Sequence, residues 1–319
     1  MGSTQFGKFH DFCRDSTLPV CNLFIRDNQP PNEKYGGCAL TGINLSSGRH
    51  VGNLGTATIC PLESYPWSNI MTYQIQLGSI LLCFIAIFST LFLIWRSERK
   101  RAAVGRREMQ LFLIGFIIIS ICEIFSVGAF PLSDSIRKGF SAAHVAAICA
   151  TAWLLLLNAI VGYQLIDDGT AVSLGLLVTS ALILFVGTGY IALDTAFAWT
   201  GRFQSSHRAP NQNIGLYILY LLFPLICIVG FFLLETFLVV KVLKEKRPML
   251  YLSVAGLLFA LSQIFQFVIS THLCNATDGK INGAFFETLF NFGAVIMVWV
   301  FWSSITEDDW PMNVSGAYS

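Results

Sequence analysis

Two adjacent aspartates, Asp167 and Asp168, stand where a long apolar stretch of the sequence is briefly interrupted. A carboxylate pair of this kind could act as a general acid and base or as metal ligands. No His or Cys lies nearby, and Gly169 and Thr170 follow directly. Gly169 is suited to the left-handed conformation that closes a helix, and Asp168 or Thr170 can cap the helix that follows. The sequence therefore favours a tight turn here over a metal or catalytic site.

A second group of polar side chains lies within apolar runs, where polar and ionisable groups are costly and mark functional candidates. Two interpretations stay open: one polar cluster that binds a ligand or partner, or separate interhelical hydrogen bonds, each worth about 0.6 kcal/mol. Two further acids, Asp194 and Glu235, are expected to reach water because they lie near span ends. The candidate cluster comprises Glu123, His144, Gln263, Gln266, Glu287 and Asn291.

Other catalytic signatures are not found in the sequence. The five histidines form no His-xxx-His pair, which disfavours a membrane zinc hydrolase. There is neither a G-x-S-x-G nucleophile elbow nor a glycine-rich phosphate loop. We therefore expect a protein that is not an enzyme and that uses no cofactor or metal.

The segments that carry these residues are apolar. The chain is 54% hydrophobic and 12% charged, whereas soluble domains carry about 25% charged residues. Seven runs approach or exceed the ~20 residues that a helix needs to cross a bilayer. Backbone amides in lipid must be satisfied within their own segment, so the sequence predicts an all-α, polytopic seven-helix bundle. The runs are residues 71–95, 109–130, 142–165, 172–193, 214–240, 249–270 and 284–302.

The distribution of basic residues predicts the direction of threading. The loop after the first span contains six Arg or Lys, and the loop after the fifth span contains four. The loops on the other face contain five. By the positive-inside rule the N-terminus is lumenal and the C-terminus cytosolic. The basic first loop is also attracted to anionic lipid, whereas a net charge of +1 without a basic stripe disfavours a nucleic-acid partner.

This orientation divides the chain into a lumenal tail (1–70), a transmembrane domain (71–302) and an acidic cytosolic tail (303–319). Cysteines in an oxidising lumen form disulfides, so we expect two bridges in the first tail, in any of three pairings. The last tail is either a solvated end or an export signal read by vesicle-coat proteins. The residues concerned are Cys13, Cys21, Cys38 and Cys60 for the disulfides, Asn44 and Asn275 as lumenal glycosylation candidates, and Glu307, Asp308 and Asp309 for the export signal.

Four blocks, in this order along the chain, give the sequence a resemblance to the fungal chitin synthase export chaperone family. They are FCRDSTLPVC, with Cys13, Leu18, Pro19 and Cys21; AVGRRE at residues 103–108; the turn block, with Asn158, Val161, Gly162, Gln164, Leu165, Asp168, Gly169 and Thr170; and the closing FFETLFNFGAVIMVWVFWSSITEDDW. Before the third span, FPLSDSIRKGF stands where that family has Pro-Pro-Gly-Ser-Gly. The chain thus resembles a divergent member or paralogue.

The resemblance implies an endoplasmic-reticulum membrane protein that binds chitin synthase, supports its folding and export toward the cell surface, and is indirectly needed for chitin and cell-wall synthesis. Because a client with polar groups stranded in lipid would gain from transient partners, we hypothesise that the polar cluster or the lumenal tail engages the client. The alternative is a seven-span receptor, although the third span ends in QLIDDGT, without the Asp-Arg-Tyr-like triplet common there. A transporter is a further alternative.

Overall fold

Seven helices cross the bundle in the computed structural model, which describes residues 6–9, 12–13, 16, 18–24, 68–100, 103–126, 134–164, 169–203, 212–270, 272–273 and 283–306. Each of the seven is long and apolar enough to span a membrane, which confirms the predicted number and the all-α class. The helices are Ser68–Arg99 (α1), Arg106–Ser126 (α2), Asp134–Gly162 (α3), Ala171–Phe197 (α4), Ile214–Leu243 (α5), Arg247–Ile269 (α6) and Gly283–Ile305 (α7).

Helix ends extend past the apolar runs that predict them. The third run begins at residue 142, yet α3 begins at Asp134 and includes the charged Arg137 and Lys138. Helical hydrogen bonds join backbone groups, so a helix continues through polar residues where the apolar stretch has already ended. The length of an apolar run therefore predicts the membrane-crossing part of a helix and not its full extent.

The third helix is the centre of the bundle. It packs against α2, α4 and α5. In its spanning window 67% of residues are buried, against 22% in that of α4. Small side chains allow this close packing: a Cβ added to Gly115 of α2 would lie 2.5 Å from the Thr151 hydroxyl oxygen of α3. Ala142, Ala146 and Ala150, spaced four residues apart, form a stripe of small side chains along this span, which lets neighbouring helices approach closely.

The remaining helices form two groups around the central one. Helices α6 and α7 pack along their lengths, and α1 lies against α2 and α7. Helix α5 packs on α3 but makes few contacts with α6. The arrangement leaves space between the α3–α5 and α6–α7 pairs.

The described residues between 6 and 24 form an N-terminal plug at one face of the bundle. A disulfide joins Cys13 to Cys21, and the short 3-10 helix Pro19–Phe24 is buried throughout. The plug packs against α3 and α4. Asn22 anchors it by donating from Nδ2 to the Ser126 carbonyl at 3.0 Å and to Ser141 Oγ at 2.9 Å.

The plug decides between the three disulfide pairings that the sequence leaves open. Cys13 and Cys21 are eight residues apart and bonded to each other. Cys38 and Cys60 lie outside the described residues. Cysteines within the spans, such as Cys83 and Cys149, are free and buried, as expected of small apolar packing residues.

Candidate functional site

A cavity of about 540 Å³ lies between α2, α3, α5, α6 and α7. Most of its wall is apolar and rich in aromatic rings, and Phe12, Leu18 and Pro19 of the plug form part of it. Its size is within the range of about 300–1,000 Å³ that is usual for ligand pockets. The aromatic residues of the wall are Phe12, Phe112, Phe116, Tyr217, Tyr220, Phe232, Phe259 and Phe267.

The cavity brings together five of the six polar side chains that the sequence groups as a candidate cluster. They come from four helices and line one space: Glu123, His144, Gln263, Glu287 and Asn291. The sixth, Gln266, is only 1% exposed and lies on α6 outside the cavity wall. The geometry thus has the form of one polar cluster inside an apolar chamber.

Hydrogen bonds between helices hold part of this cluster in place. Thr288 Oγ1 of α7 donates to Glu123 Oε1 of α2. Ser262 Oγ of α6 donates to Asn291 Oδ1 of α7 at 2.9 Å, and Gln263 Nε2 donates to the same Ser262 oxygen at 3.1 Å. These bonds orient two helix pairs without using every polar atom of the cluster.

The third helix supplies its histidine at the plug side of the cavity. His144 Nδ1 lies 2.9 Å from Ser126 Oγ, and Ser126 is also the residue whose carbonyl accepts from Asn22 of the plug. His144 is 5% exposed and its ring lines the cavity. Ser126 therefore contacts both the plug and the polar cluster.

Polar groups in the cavity that make no hydrogen bond within the described part of the chain include the Tyr220 hydroxyl and the Glu287 carboxylate. The Tyr220 side chain is 8% exposed, and both residues line the cavity. Sequence reasoning missed Tyr220 because a tyrosine inside an apolar run is usually a packing residue. Among the described residues that line the cavity, none is Lys or Arg.

Tyr220 lies in an irregular segment of α5. Residues Tyr217–Leu222 of α5 form a π-helical segment, and Pro224 follows within the next helical turn. Proline has no N–H to donate to the carbonyl four residues before it, which is that of Tyr220. A second π-helical segment, Phe265–Ile269, ends α6 across the cavity. Such segments are rare and are frequent at functional sites.

The cavity is closed at the plug and opens sideways. Leu225 of α5 lines the cavity and is also 52% exposed on the outer, membrane-facing surface. It lies on the side where α5 and α6 make few contacts. At the end away from the plug, a packed core that includes Phe231, Leu252 and Trp299 fills the bundle. The wall of the cavity therefore reaches the outer surface of the bundle at Leu225.

A second candidate region is the turn between α3 and α4. Thr170 is the N-cap of α4 and accepts from Ser173 N at 3.2 Å. Gly169 has the left-handed conformation that the sequence indicates, with φ +66°, but it does not close α3, which already ends at Gly162. Gln164 is also left-handed, with φ +54°, which residue type alone does not predict. Glu108 of α2 accepts from Gly169 N at 3.0 Å and from Ser173 Oγ at 3.4 Å. The turn is therefore held by a distant carboxylate.

The other residues of this sequence block support the turn from α3. Asn158 is buried at 5% exposure, and Gly162 is the last residue of the helix. The hydroxyl of Tyr163, which follows, donates to the Leu234 carbonyl of α5 at 2.5 Å. Asp167 and Asp168 lie outside the described residues. Sequence reasoning missed Glu108 because it follows Arg106 and Arg107 in a basic loop, and that loop was interpreted only as a determinant of membrane orientation.

The expectation that Asp194 and Glu235 reach water is wrong. Asp194 is 0% exposed because the chain after α4 folds back over it: its carboxylate accepts from Thr200 N at 2.5 Å and from Phe203 N at 3.2 Å. Glu235 is buried on α5, at 4% exposure. Proximity to a helix end gives no access to water where loops or neighbouring helices cover the side chain.

Several sequence-predicted sites fall outside the part of the chain that the structure covers. Within the residues that it describes, no group of three His, Cys, Asp or Glu side chains could hold a metal ion. The glycosylation candidates Asn44 and Asn275 lie outside those residues, as do Glu307, Asp308 and Asp309 of the proposed export signal.

Seven membrane-spanning helices around a partly polar cavity, closed at one face by a disulfide-bonded plug, define a multi-pass α-helical membrane protein. The sequence model of the chitin synthase export chaperone family matches residues 5–75 and 60–316. The chain belongs to that family, which confirms the resemblance carried by the four sequence blocks.

Individual relatives agree with the family match. A chitin synthase export chaperone of Cryptococcus neoformans var. neoformans serotype D is 31% identical, over 97% of this chain and 77% of its own length. Those of Coccidioides immitis and Aspergillus clavatus are 27% and 26% identical, each over 97% of this chain and 85% of their own length. No solved structure matches the chain.

Proposed function

We propose that this protein is a chaperone of the endoplasmic-reticulum membrane that binds chitin synthase, helps its membrane domain to fold, and permits its export toward the cell surface. One observation carries the proposal: the family model covers the chain from residue 5 to residue 316, and curated relatives along 97% of it are named chitin synthase export chaperones. Chitin and cell-wall synthesis depend on the protein indirectly, through delivery of the enzyme.

In this proposal the plug face is lumenal and the C-terminus is cytosolic. The excess of Arg and Lys in the loops after the first and fifth spans supports that direction. The disulfide between Cys13 and Cys21 supports it independently, because such bonds persist in oxidising compartments. The acidic residues Glu307, Asp308 and Asp309 then face the cytosol, where vesicle-coat proteins assemble.

The polar cluster of the cavity is the proposed client contact within the membrane. A multispan enzyme that has not finished folding exposes polar groups to lipid, where each unsatisfied group is costly. A chaperone that offers hydrogen-bonding groups in the membrane plane lowers that cost until the client's own partners arrive. Glu123, Gln263 and Glu287 are placed for this role, and the plug offers a lumenal surface.

Depletion of the protein is the direct test of the proposed function. We expect chitin synthase to accumulate in the endoplasmic reticulum and cell-wall chitin to fall, and both effects to be reversed by the wild-type chain. Fractionation of tagged chitin synthase and measurement of wall chitin provide the readouts. Normal delivery of the enzyme in depleted cells would show that the proposed function is wrong.

The role of the cluster is tested separately with a combined variant, Glu123→Gln, Gln263→Leu and Glu287→Gln. We expect this variant to lose co-purification with chitin synthase although it reaches the membrane at wild-type abundance. A Glu98→Gln variant is the matched control, because Glu98 is a half-exposed loop-side acid away from the cavity. Full co-purification of the combined variant would remove the cluster from client binding and leave the plug as the contact.

A further inference from the structure

We propose that the cavity receives the basic side chain of a lysine or arginine that a client carries inside a membrane helix. The proposal rests on the proposed chaperone function for the identity of the guest as a client segment. The helix itself stays in lipid beside α5 and α6, and only its basic side chain enters.

The charges that face the cavity define the chemistry of the guest. Two carboxylates, Glu123 of α2 and Glu287 of α7, line the same cavity. Thr288 satisfies one oxygen of Glu123, whereas Glu287 has no hydrogen-bond partner within the described residues. No Lys or Arg is found among the described lining residues. The missing complement is a cation that donates hydrogen bonds, which an ammonium or guanidinium group provides.

A tyrosine in the cavity wall is a second, independent indication. Tyr220 is only 8% exposed, yet its hydroxyl makes no hydrogen bond with the described part of the chain and faces the cavity. Buried tyrosine hydroxyls usually have a partner. A guest amine that lies between Tyr220 and Glu287 would donate to both oxygens, and the aromatic wall of the cavity suits a cation on an apolar stem.

The volume of the cavity excludes a whole helix. An α-helix with its side chains is about 10 Å across, and a membrane-spanning one is about 30 Å long, which corresponds to about 2,400 Å³ against 540 Å³ for the cavity. One or two long side chains fit that volume. The long aliphatic stem of lysine or arginine allows the charge to lie several ångströms from its own backbone.

The position of the opening gives the direction of entry. The plug closes one end, and Leu225 marks the exposed, lipid-facing part of the wall, where α5 and α6 make few contacts. A side chain that enters there comes from a segment already inside the bilayer. A lone basic residue in a membrane helix is the group that most needs a temporary acidic partner during assembly.

The experiment uses the full-length protein in lipid nanodiscs and a fluorescent 23-residue leucine–alanine helix with one central lysine. Matched peptides carry leucine or glutamate at that position. We expect the lysine peptide to bind at least tenfold more tightly than either matched peptide. We expect Glu287→Gln to weaken it by about tenfold or more, because a charge-assisted hydrogen bond and an ion pair are lost.

A second variant and a control distinguish a loss of binding from a loss of the folded structure. Tyr220→Phe removes only the hydroxyl, and we expect it to weaken binding of the lysine peptide by several-fold while the thermal unfolding temperature stays at the wild-type value. Glu98→Gln lies outside the cavity and should bind like the wild type. Equal binding of the lysine and leucine peptides would overturn the proposal. Unchanged binding in both Glu287→Gln and Tyr220→Phe would overturn it as well.

A further experiment with dodecylamine tests whether the cavity binds the side chain of a membrane helix or a small amphiphilic amine. Competition by dodecylamine against a bound lysine peptide agrees with the proposal, whereas dodecylamine binding without any binding of the peptide overturns it. The peptide test and the depletion test can fail separately. If the protein does not select lysine peptides but chitin synthase still depends on it for delivery, only the cavity proposal is rejected. If the protein binds the lysine peptide but chitin synthase is delivered without it, only the chaperone function is rejected.

Discussion

Glu108 at the start of α2 accepts a hydrogen bond at 3.0 Å from the backbone N–H of Gly169, which lies 61 residues later at the turn before α4. The carboxylate is 0% exposed, and it also accepts from Ser173 Oγ at 3.4 Å. The contact joins two of the sequence blocks that resemble the family, AVGRRE and the turn block. The two blocks are far apart in the sequence, but in the structure they form one hydrogen-bonded contact.

Replacement of Glu108 is expected to loosen this turn. Glu108→Leu leaves the Gly169 N–H and the Ser173 hydroxyl without their acceptor, which should lower stability by about 1–3 kcal/mol. Thermal unfolding of the purified protein in detergent measures the effect. Glu108→Gln keeps one acceptor oxygen and should fall between Leu and wild type. Glu98→Leu, which removes only surface ion pairs to Arg106 and Arg107, should change stability by less than about 1 kcal/mol.

The close approach of α2 and α3 predicts a size limit at Gly115. A Cβ there would lie 2.5 Å from Thr151 Oγ1 and 3.2 Å from its Cβ, so Gly115→Ala should destabilise the protein by about 1–3 kcal/mol. The double variant with Thr151→Ala should recover most of the loss. Gly187→Ala on α4 meets no atom within 4 Å and should be neutral or stabilising. Thermal unfolding of the wild type and the three variants measures these differences in stability. Equal effects of Gly115→Ala and Gly187→Ala would contradict the close packing of α2 on α3.

The plug predicts a strong effect of its disulfide. Cys13→Ala together with Cys21→Ala removes the cross-link that closes a short buried loop, and stability should fall by about 2–4 kcal/mol. The midpoint of thermal unfolding reports the change. Cys83→Ala is the control, since this buried cysteine is free and has no cross-link to lose. A double variant that unfolds at the same temperature as Cys83→Ala would show that the plug is held by packing alone.

The direction of threading predicts different fates for two glycosylation sequons. We expect Asn44, in the lumenal tail, to carry an N-glycan, and Asn313, near the C-terminus, to carry none. Asn44→Gln should therefore remove an endoglycosidase-sensitive shift in gel mobility, and Asn313→Gln should change nothing. Protease added to sealed vesicles should cleave a C-terminal tag and spare an N-terminal one. The reverse cleavage pattern would invert the orientation.

The acidic tail predicts a trafficking defect when its charge is removed. Replacing Glu307, Asp308 and Asp309 with the corresponding amides should slow exit of the protein and of chitin synthase from the endoplasmic reticulum, because a basic coat surface would lose its partner. A pulse–chase experiment with a cell-surface readout measures the rate. Glu245→Gln, in the loop before α6 that the positive-inside rule predicts to be cytosolic, is the control. Unchanged exit of the triple variant would identify the tail as a solvated end.

The sequence alone predicted the spans, the turn between α3 and α4, and two of the cavity carboxylates, because each depends on a residue and its near neighbours in the chain. Seven apolar runs predicted seven spans because a helix in lipid must satisfy its own backbone, whatever its neighbours are. Gly169 and Thr170 predicted a left-handed residue and an N-cap for the same reason: the preference belongs to the residue and its immediate neighbours. Glu123 and Glu287 were recognisable as candidates from their positions within apolar runs, because a carboxylate is costly to bury in lipid.

Only the tertiary structure decided which of these residues meet. Tyr220 lines the same cavity as the two carboxylates, Gln266 is left out of the cavity, and Glu108 reaches Gly169, because the rotation of each helix about its axis is set by packing against other helices. The burial of Asp194 depends in the same way on how the following chain folds over it. Spans and turns are encoded over a few residues, whereas a site built from five helices depends on contacts far apart in the chain.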